Sequence, residues 1–459
     1  MSKTLLLEKS FFHVQNILYF YLLRHFLTPF TGIMPIGSVF PNYGGDRFEN
    51  VMLHCYDSAT IIIMKERSSM INNAQQTNSS IIELPEYSIK VGIATTLEEK
   101  REIYHFRYQT YVEEMSKHLE DTDYANELVY DELDEWTVLL SAKIGSKLIA
   151  TARINIGTLT DFPGELKELM SLYTFQNYNT ETIDHKLAFA SKLMVAPAHR
   201  SSPVLYLLVA KCYELSVLNQ VQFAFTGCNL HLLRLYEQIG FHRYSRSFVC
   251  PGYGLLTPTV MAINDVQHLR AIRSPLYRIA RKRGEVNIQA VEWFHTKFTN
   301  HSQFINSQIV TEEELWSVLC NRLTCPPTEA IAVLRELSIR EAKKFLHCCG
   351  ILVQCHLGDL ITTQGDVSYS YDILISGRLK SLTFLHPVKE YALPGQNFGA
   401  NGLTEHTKHI EDIIATDASE ILVLSGMAFQ KFFHSHPDIA HKVVQSIIHI
   451  TKNNYSNLK

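Results

Sequence analysis

The chain has 459 residues, more than one ordinary hydrophobic core holds, so its length predicts two or three domains. A formal net charge of −4 with 19% charged residues excludes a strongly basic protein, and we predict no nucleic-acid partner. Nine cysteines without a CxxC pair indicate reduced thiols and a cytoplasmic location, and 21 histidines without an HExxH motif give no reason to predict a metal site.

Residues 1–87 begin with an aromatic and apolar segment and include a polar stretch, residues 68–80, that is typical of a flexible linker. The longest uninterrupted apolar run covers only residues 17–23, whereas a membrane-spanning helix needs roughly 20 residues. Two interpretations stay open for this segment: an amphipathic helix that docks on the next domain, or one that lies on a membrane surface. Under the second interpretation the cytoplasmic protein is peripheral to a membrane.

Hydrophobic periodicity predicts an α/β domain over residues 88–262. Its first elements are a strand, a helix and a hairpin, at residues 88–95, 97–115, and 137–142 with 147–156.

Three charged residues surround this hairpin: Asp131 and Asp134 precede it, and Arg153 lies in its second strand. A carboxylate, or a water that it holds, can deprotonate an amine nucleophile. An arginine can stabilise a developing oxyanion or pair with the carboxylate of a substrate. The structural alternative is that both acids cap turns and that the arginine forms an ion pair within the sheet.

The next stretch predicts a strand, a helix, a second strand and a second helix, at residues 188–195, 204–218, 221–226 and 229–238. Arg200, Ser201 and Ser202 lie where the first strand leads into its helix. The free amides and the dipole of a helix N-terminus favour anions, such as the phosphates of a phosphopantetheine or coenzyme A donor.

This order of elements, with Asn229, Tyr236 and Gly240 at the spacing N-x6-Y-x3-G, resembles the second half of the GNAT acyltransferase fold. The resemblance implies that the helix carrying Tyr236 lies beside the acyl thioester and that Tyr236 protonates the leaving thiolate. The alternative is an ordinary helix on which Tyr236 only packs.

Further motifs resemble the autoinducer-synthase-like branch of that fold: FRYQTYVEE (106–114), the paired acids, GxxLIATAR (145–153) and ASKLMVxP (190–197). Members of this branch include acyl-homoserine-lactone synthases, long-chain N-acyl amino acid synthases and acyltransferases that accompany exosortase systems. The resemblance covers residues 88–262. It implies transfer of a fatty acyl group from acyl carrier protein, or less often from coenzyme A, to the amine of an amino acid or related small metabolite.

The same resemblance assigns catalytic or substrate-binding positions to Arg107, Asp131, Asp134, Arg153, Ser191, Lys192 and Asn229. Two residues depart from the branch. Phe189 stands where a glutamate is common, and Pro203 replaces a small residue of the donor phosphate loop. Since a loop without glycine approaches a pyrophosphate less closely, the second departure favours acyl carrier protein or a weakened donor site.

Residues 263–310 are a basic, helical connector whose cations cluster between residues 270 and 283. A basic surface beside an acyltransferase suits the acidic surface of acyl carrier protein through electrostatic steering. The alternative is a solvated helix between two domains.

Residues 311–459 change to short strands separated by glycine turns and ended by helices, which predicts a β-barrel or jelly roll. The motifs GDLI (358–361), YDILISG (371–377) and Phe398-Gly399 resemble the cyclic-nucleotide-binding domain, and the resemblance covers about residues 330–458. Gly399 is followed by Ala400 where that family has a glutamate, and His409 falls at or near its phosphate-binding arginine. We therefore predict a degenerate domain that docks or dimerises and does not bind a cyclic nucleotide.

The sequence thus predicts an α/β acyltransferase, a mixed sheet flanked by helices, joined to a C-terminal β-barrel or jelly-roll domain with flanking helices. The predicted reaction is N-acylation of a small-molecule amine by an acyl thioester. Two alternatives stay open: an inactive two-domain binding or regulatory protein, and a coenzyme-A-dependent protein-lysine acetyltransferase gated by the C-terminal domain.

Overall fold

A computed structural model of the protein describes residues 88–178, 185–200, 202–284, 286–298, 305–382 and 388–456. The N-terminal segment and linker, residues 1–87, lie outside the described residues, as does Ser201. The described residues belong to one compact unit, Leu84–Lys459. Within it we call residues 88–298 the first region and residues 305–456 the second region. The domain boundaries at residues 262 and 310 stay a prediction.

The described part of the first region has ten strands: β1 (Ile89–Ile93), β2 (Thr122–Asp123), β3 (Leu128–Val129), β4 (Val138–Ile144), β5 (Lys147–Gly157), β6 (Leu187–Val195), β7 (Phe223–Asn229), β8 (His242–Arg243), β9 (Phe248–Cys250) and β10 (Gly254–Ala262). Seven lie in the order β1-β4-β5-β6-β7-β10-β8, and β9 pairs with β10 to complete an eight-stranded sheet. Strands β2 and β3 pair with each other.

The helices of this region are α1 (Leu97–Tyr108), α2 (Gly164–Leu169), α3 (Val204–Leu218), α4 (Leu233–Ile239), α5 (Val266–Ala271), α6 (Tyr277–Ala280) and α7 (Gln289–Lys297). Helix α1 starts at a capping box in which Thr96 and Glu99 satisfy each other's backbone amides. It continues as a π-helix over Gln109–Glu114. The single helix predicted for residues 97–115 is therefore two helical forms in succession.

The sheet lies between helices because its side chains alternate from face to face. On β4, Leu139 packs in the cluster that contains Ile103 of α1, and Leu140 packs in the cluster that contains Leu208 of α3. The strands of the middle of the sheet are therefore buried on both faces, which explains their nearly continuous apolar sequence.

Strands β6 and β7 run parallel and separate part of the way along. They pair only from Leu187 to Phe189 on β6 and from Phe223 to Phe225 on β7. Beyond these residues β6 continues to Val195 and β7 to Asn229 without pairing to each other. The edge of β6 that faces β7 is thus open from Ala190 onward.

The described strands of the second region are β11 (Gly350–Cys355), β12 (Leu360–Thr362), β13 (Ser370–Ser376), β14 (Leu379–Leu382), β15 (Glu390–Tyr391), β16 (Asn397–Phe398), β17 (Asp412–Ala415) and β18 (Ser419–Ser425). Its helices are α8 (Glu312–Leu323), α9 (Pro327–Ala330), α10 (Ile339–Cys349), α11 (Gly426–Ser435) and α12 (Pro437–Ser456). The strands form two four-stranded sheets, β11-β18-β13-β16 and β12-β17-β14-β15.

Strand β18 shows how the second region is layered. Leu422 and Leu424 pack in the core shared with the helices, whereas Ile421 and Val423 pack in the core that contains Ile413 of the other sheet. The order of layers is therefore helices, sheet, sheet. The predicted fold class is confirmed, with two facing sheets rather than one barrel.

A buried ion pair joins the two regions. Glu237 and Arg243 are 2% and 5% exposed, and Arg243 Nε donates to Glu237 Oε1 over 2.9 Å. Arg243 also donates from NH1 to the Leu352 carbonyl at 2.8 Å, and Glu237 Oε2 accepts from the Ser307 amide at 2.7 Å. Both charged groups therefore bind backbone of the second region.

We expect Arg243→Met to lower the free energy of unfolding by roughly 3–5 kcal/mol, because it leaves Glu237 buried without its cation. Urea unfolding, compared at equal m-value, measures the change. Arg278→Met is the matched control, since Arg278 is exposed, and it should change stability by less than about 0.5 kcal/mol. Equal effects of the two substitutions would contradict a structural role for the ion pair.

Candidate functional site

Five charged side chains meet beside the open part of β6: Arg107, Asp131, Asp134, Arg153 and Lys192. Helix α1 carries Arg107, β5 carries Arg153 and β6 carries Lys192, while both acids lie on the turn before β4. We call this group the charged cluster. The structure thus brings together residues that lie as much as 85 positions apart in the sequence, from 107 to 192.

The two acids are held by a capping box around the short 3-10 helix Glu132–Asp134. Asp131 Oδ1 accepts from the Leu133 amide and Asp134 Oδ2 accepts from the Asp131 amide, both at 3.0 Å. Both acids therefore do cap a turn through their contacts with backbone amides, as the structural alternative predicted. The same carboxylates also bind cations, so the cap fixes where their charges lie.

Arg153 lies at the centre of the charged cluster. Its NH1 donates to Asp131 and, at 3.0 Å, to Asp134 Oδ2, and its Nε donates to Ser191 Oγ at 2.9 Å. Arg107 NH1 donates to the same Asp134 oxygen at 2.8 Å. The Arg107 side chain is fully buried, and its Nε and NH2 have no hydrogen-bond partner in the described part of the structure. Those two groups are buried donors without an acceptor among the described residues.

Burial and neighbouring charges act in opposite directions on the ionisable groups. Burial would raise the pKa of the Asp131 carboxyl, but Arg153 and Lys192 outweigh it and hold the pKa below its ordinary value. Burial lowers the pKa of Lys192 to about 8, although Asp131 opposes the shift. At neutral pH Asp131 is thus a carboxylate.

Lys192 occupies a β-bulge on β6. Arg153 pairs with Ser191 and Thr151 pairs with Met194, so two residues of β6 lie opposite one residue of β5. Lys192 has a φ of 52°, in the left-handed region, which costs roughly 1–3 kcal/mol for a residue other than glycine.

The bulge directs the Lys192 ammonium between two tyrosines. Its Nζ donates to the Tyr253 hydroxyl, lies 4.4 Å from the Tyr253 ring centre and 5.4 Å from that of Tyr111, and is 3.4 Å from Asp131 Oδ2. The ammonium is held by a carboxylate and by two aromatic faces.

Tyr236 lies at an apolar cavity that also touches the charged cluster. This apolar cavity has a volume of about 50 Å³ and is bounded by β5, β6, α3 and α4, with Arg153, Ser191, Cys212, Tyr236 and Met261 among its lining residues. Burial raises the pKa of Tyr236 well above its ordinary value, so its phenol keeps its proton at any physiological pH. Tyr236 therefore packs as a protonated phenol in the wall of a cavity that Arg153 and Ser191 also line.

Asn229 and the predicted phosphate loop have contacts of their own. Asn229 ends β7 and donates from Nδ2 to the Tyr253 carbonyl at 3.0 Å. Arg200 forms a two-pronged ion pair with Glu114 of the π-helix, at 2.6 and 2.7 Å. Ser202 Oγ donates to the His199 carbonyl at 2.6 Å. An anion at this loop would therefore have to compete with Glu114 for the guanidinium.

In the second region, His409 fills the loop that resembles a nucleotide cassette. The Ala400 amide donates to His409 Nδ1 at 3.1 Å, and a Cβ added to Gly399, whose φ is 69°, would lie 3.1 Å from the same ring. Burial lowers the pKa of His409 to about 4, so the ring is uncharged at neutral pH. The predicted counterpart of the family's arginine, at or near His409, is thus an uncharged ring in this loop.

Sequence reasoning missed Tyr111, Tyr253 and Glu114. Tyr111 and Glu114 lie inside the FRYQTYVEE motif, and their chemistry could have been considered there. Tyr253 lies between Gly252 and Gly254, which have φ values of 72° and 80°. Two glycines around one tyrosine were the signal of a backbone that only glycine adopts easily.

Two further observations concern membranes and metals. Among the described helices, none combines the length and the apolar character that crossing a bilayer requires. The same part of the chain contains no group of three or more histidine, cysteine, aspartate or glutamate side chains arranged to hold a metal ion.

The comparison with family models matches residues 106–210 to the acetyltransferase (GNAT) domain. The match confirms the GNAT resemblance over these residues, which form part of a domain of the acyltransferase type. No curated protein matches the chain.

Several solved structures resemble parts of the chain. FeeM, an N-acyl amino acid synthase from uncultured soil microbes, is 10% identical with a TM-score of 0.33, over 42% of this chain and 98% of its own. TofI, in a ternary complex with an inhibitor and MTA, is 18% identical with a TM-score of 0.30, over 41% and 98%. A cyclic nucleotide-binding domain from Methylobacillus flagellatus is 12% identical with a TM-score of 0.27, over 32% and 82%.

We expect Lys192→Gly to be more stable than Lys192→Ala by roughly 1 kcal/mol, which reverses the usual order within a strand. Both substitutions remove the ammonium and its ion pair, so they differ mainly in the cost of the left-handed backbone. Urea unfolding of the two purified variants measures the difference. An alanine variant at least as stable as the glycine variant would contradict a strained bulge.

Proposed function

We propose that the chain is an N-acyltransferase that moves a fatty acyl group from an acyl thioester to the amine of an amino acid or related small metabolite. The observation that carries the proposal is the parting of β6 and β7. It places an open strand edge, the apolar cavity with Tyr236, and the charged cluster beside one another.

The apolar cavity suits the first carbons of the acyl chain next to the carbonyl, since its volume is about 50 Å³. Its walls come from side chains of the sheet and of helices α3 and α4, nearly all of them apolar. Burying methylene groups there contributes about 0.8 kcal/mol each. The open edge of β6 then lies next to the thioester carbonyl, and backbone amides on that edge can donate to the oxygen as it becomes negative.

Arg153 is a positioning residue in this proposal. Its guanidinium is already shared between Asp131, Asp134 and Ser191, so the strand amides are the better donors to an oxyanion. Arg153 instead fixes Ser191 and Asp131 relative to β6. Arg107 is fully buried and donates to the same Asp134 oxygen, so it too fixes the position of that acid.

Asp131 and Tyr236 supply the proton transfers. The Asp131 side chain is 16% exposed and that of Asp134 is 3% exposed, so only Asp131 is open to an amine or to a bridging water. The amine nitrogen attacks the carbonyl carbon and its surplus proton passes to Asp131 or its water. The carbon–sulfur bond then breaks, and the Tyr236 phenol protonates the leaving thiolate.

Acyl carrier protein is the proposed donor, and its docking is electrostatic. Arg200 is bound by Glu114, which weakens this loop as a pyrophosphate site. In the connector, Arg270, Arg273, Arg278, Arg281 and Lys282 are exposed. Arg283 instead donates to the Asn264 side chain at 2.8 Å. The five exposed cations can attract an acidic carrier protein.

An inactive binding protein is the second candidate. Its support is that all five charges of the charged cluster, and Arg200 as well, already pair within the chain. Such a protein would bind an acyl thioester without consuming it. The two candidates therefore differ in turnover and not in donor binding.

Tyr236→Phe should lower the rate of N-acyl product formation by roughly 10²–10⁴-fold while donor binding is kept, because the general acid is removed. Mass spectrometry of lipid extracts from expressing cells, followed by assays with purified protein, measures the product. Tyr371→Phe is the control, since the Tyr371 hydroxyl is buried in the second region without a partner. If wild type binds acyl thioesters and makes no product, the inactive binding protein is the correct description.

Glu114→Gln should release Arg200 and lower the KM for an acyl-coenzyme A donor several-fold, since the guanidinium no longer pairs with a carboxylate. When Arg200→Gln is combined with Glu114→Gln, the KM for acyl-coenzyme A should no longer fall. With acyl carrier protein as the donor, we expect Glu114→Gln to change the KM less than twofold. A large effect on the carrier-protein donor alone would contradict the assignment of Arg200 to the donor phosphates.

A further inference from the structure

A second cavity lies at the junction of the two regions and is separate from the apolar cavity. This junction cavity has a volume of about 80 Å³. The first region contributes its wall near Lys117, Asn229 and Tyr253, and the second region contributes the wall with Asp366, Asp372 and His409. The cassette-like face of the second region is therefore turned toward the acyltransferase domain.

A single ion pair crosses this cavity among the described lining residues. Lys117 Nζ and Asp366 Oδ2 are 2.6 Å apart, and their side chains are 9% and 20% exposed. The two lining imidazoles carry no charge at neutral pH, because burial lowers the pKa of His231 to about 3 and that of His409 to about 4. The cavity thus contains the ion pair of Lys117 and Asp366 beside two uncharged imidazoles.

Asp372 adds an unpartnered polar atom. The residue is 6% exposed, and its Oδ1 has no hydrogen-bond partner in the described part of the chain. Burial raises the pKa of this carboxyl to about 7. Because an unpartnered buried polar atom costs about 1–3 kcal/mol, such an atom facing a cavity indicates a missing partner.

We propose that the junction cavity binds a small zwitterion, an α-amino acid, whose ammonium pairs with Asp366 and Asp372 and whose carboxylate pairs with Lys117. The ligand replaces one internal ion pair by two ion pairs and supplies the partner that Asp372 Oδ1 lacks. A ligand with only one charge would break the pair between Lys117 and Asp366 without restoring both halves. The cavity volume selects amino acids with small side chains.

Tyr253 connects this cavity to the charged cluster. Its hydroxyl accepts from Lys192, and its carbonyl accepts from Asn229, which also lines the junction cavity. An amino acid there is either the acceptor on its way to the thioester or an effector that is not consumed. The same charged groups would bind the amino acid in either case. The proposed binding site therefore does not depend on whether the acyl transfer takes place.

The test is calorimetric titration of the full-length protein with glycine, L-alanine and L-serine. Ethylamine and propionate serve as ligands with one charge each. We expect at least one amino acid to bind and to raise the melting temperature, and the two single-charge compounds to do neither. If no amino acid binds, or if ethylamine or propionate binds as tightly, the proposal is wrong.

Two variants separate ligand binding from a structural contact. Asp366→Asn should weaken amino-acid binding at least tenfold. Lys117→Asp combined with Asp366→Lys exchanges the positions of the cation and the anion. The ion pair is kept as a structural contact, but a zwitterion in its original orientation no longer meets opposite charges. Full amino-acid affinity in both variants would overturn the site. If the double variant does not fold, Asp372→Leu replaces it. Asp372→Leu should also weaken amino-acid binding at least tenfold, and unchanged affinity would overturn the site.

Whether the bound amino acid is the acceptor or an effector is decided by whether it becomes acylated. Incubation with a ¹³C-labelled amino acid and an acyl thioester gives a labelled N-acyl product if the ligand is the acceptor, and unchanged amino acid if it is an effector. Binding without any transfer supports this inference and contradicts only the proposed function. Transfer to an amino acid whose affinity Asp366→Asn leaves unchanged supports only the proposed function.

Discussion

The parting of two parallel strands is the constraint on which the site depends. While β6 and β7 are paired, each satisfies the other's backbone groups, and after Phe189 and Phe225 this ends. The open edge leaves space between the sheet and helices α3 and α4, which the apolar cavity occupies. A continuous sheet would have filled this space with backbone hydrogen bonds and left no room for a thioester.

The charged cluster stabilises the parted strand against its own strain. The bulge at Lys192 requires a left-handed backbone, and a residue other than glycine adopts it only where its surroundings hold it there. Asp131, Tyr111 and Tyr253 hold its ammonium, while Arg153 ties Ser191 to the same acids. Burying so much charge is favourable only because every cation has a carboxylate within reach.

The second region is joined to the acyltransferase domain by buried contacts. The pair Glu237–Arg243 binds backbone of the second region, and a shared apolar cluster packs Phe398, beside the loop that resembles a nucleotide cassette, with side chains of the first region. His409 fills that loop, and Lys117 of the first region binds Asp366 of the second. The second region therefore forms one wall of a cavity that neither region forms alone.

The sequence by itself determined the elements and the type of domain, because hydrophobic period, capping boxes and motif spacing are local properties. It predicted strand 188–195 and helix 204–218, and its family resemblance identified Arg107, Asp131, Asp134 and Arg153 as a set. Only the tertiary structure decided which acid is exposed, that Glu114 binds Arg200, and that Tyr253 faces Lys192. These contacts join residues from distant elements, and no local pattern encodes the distance between them.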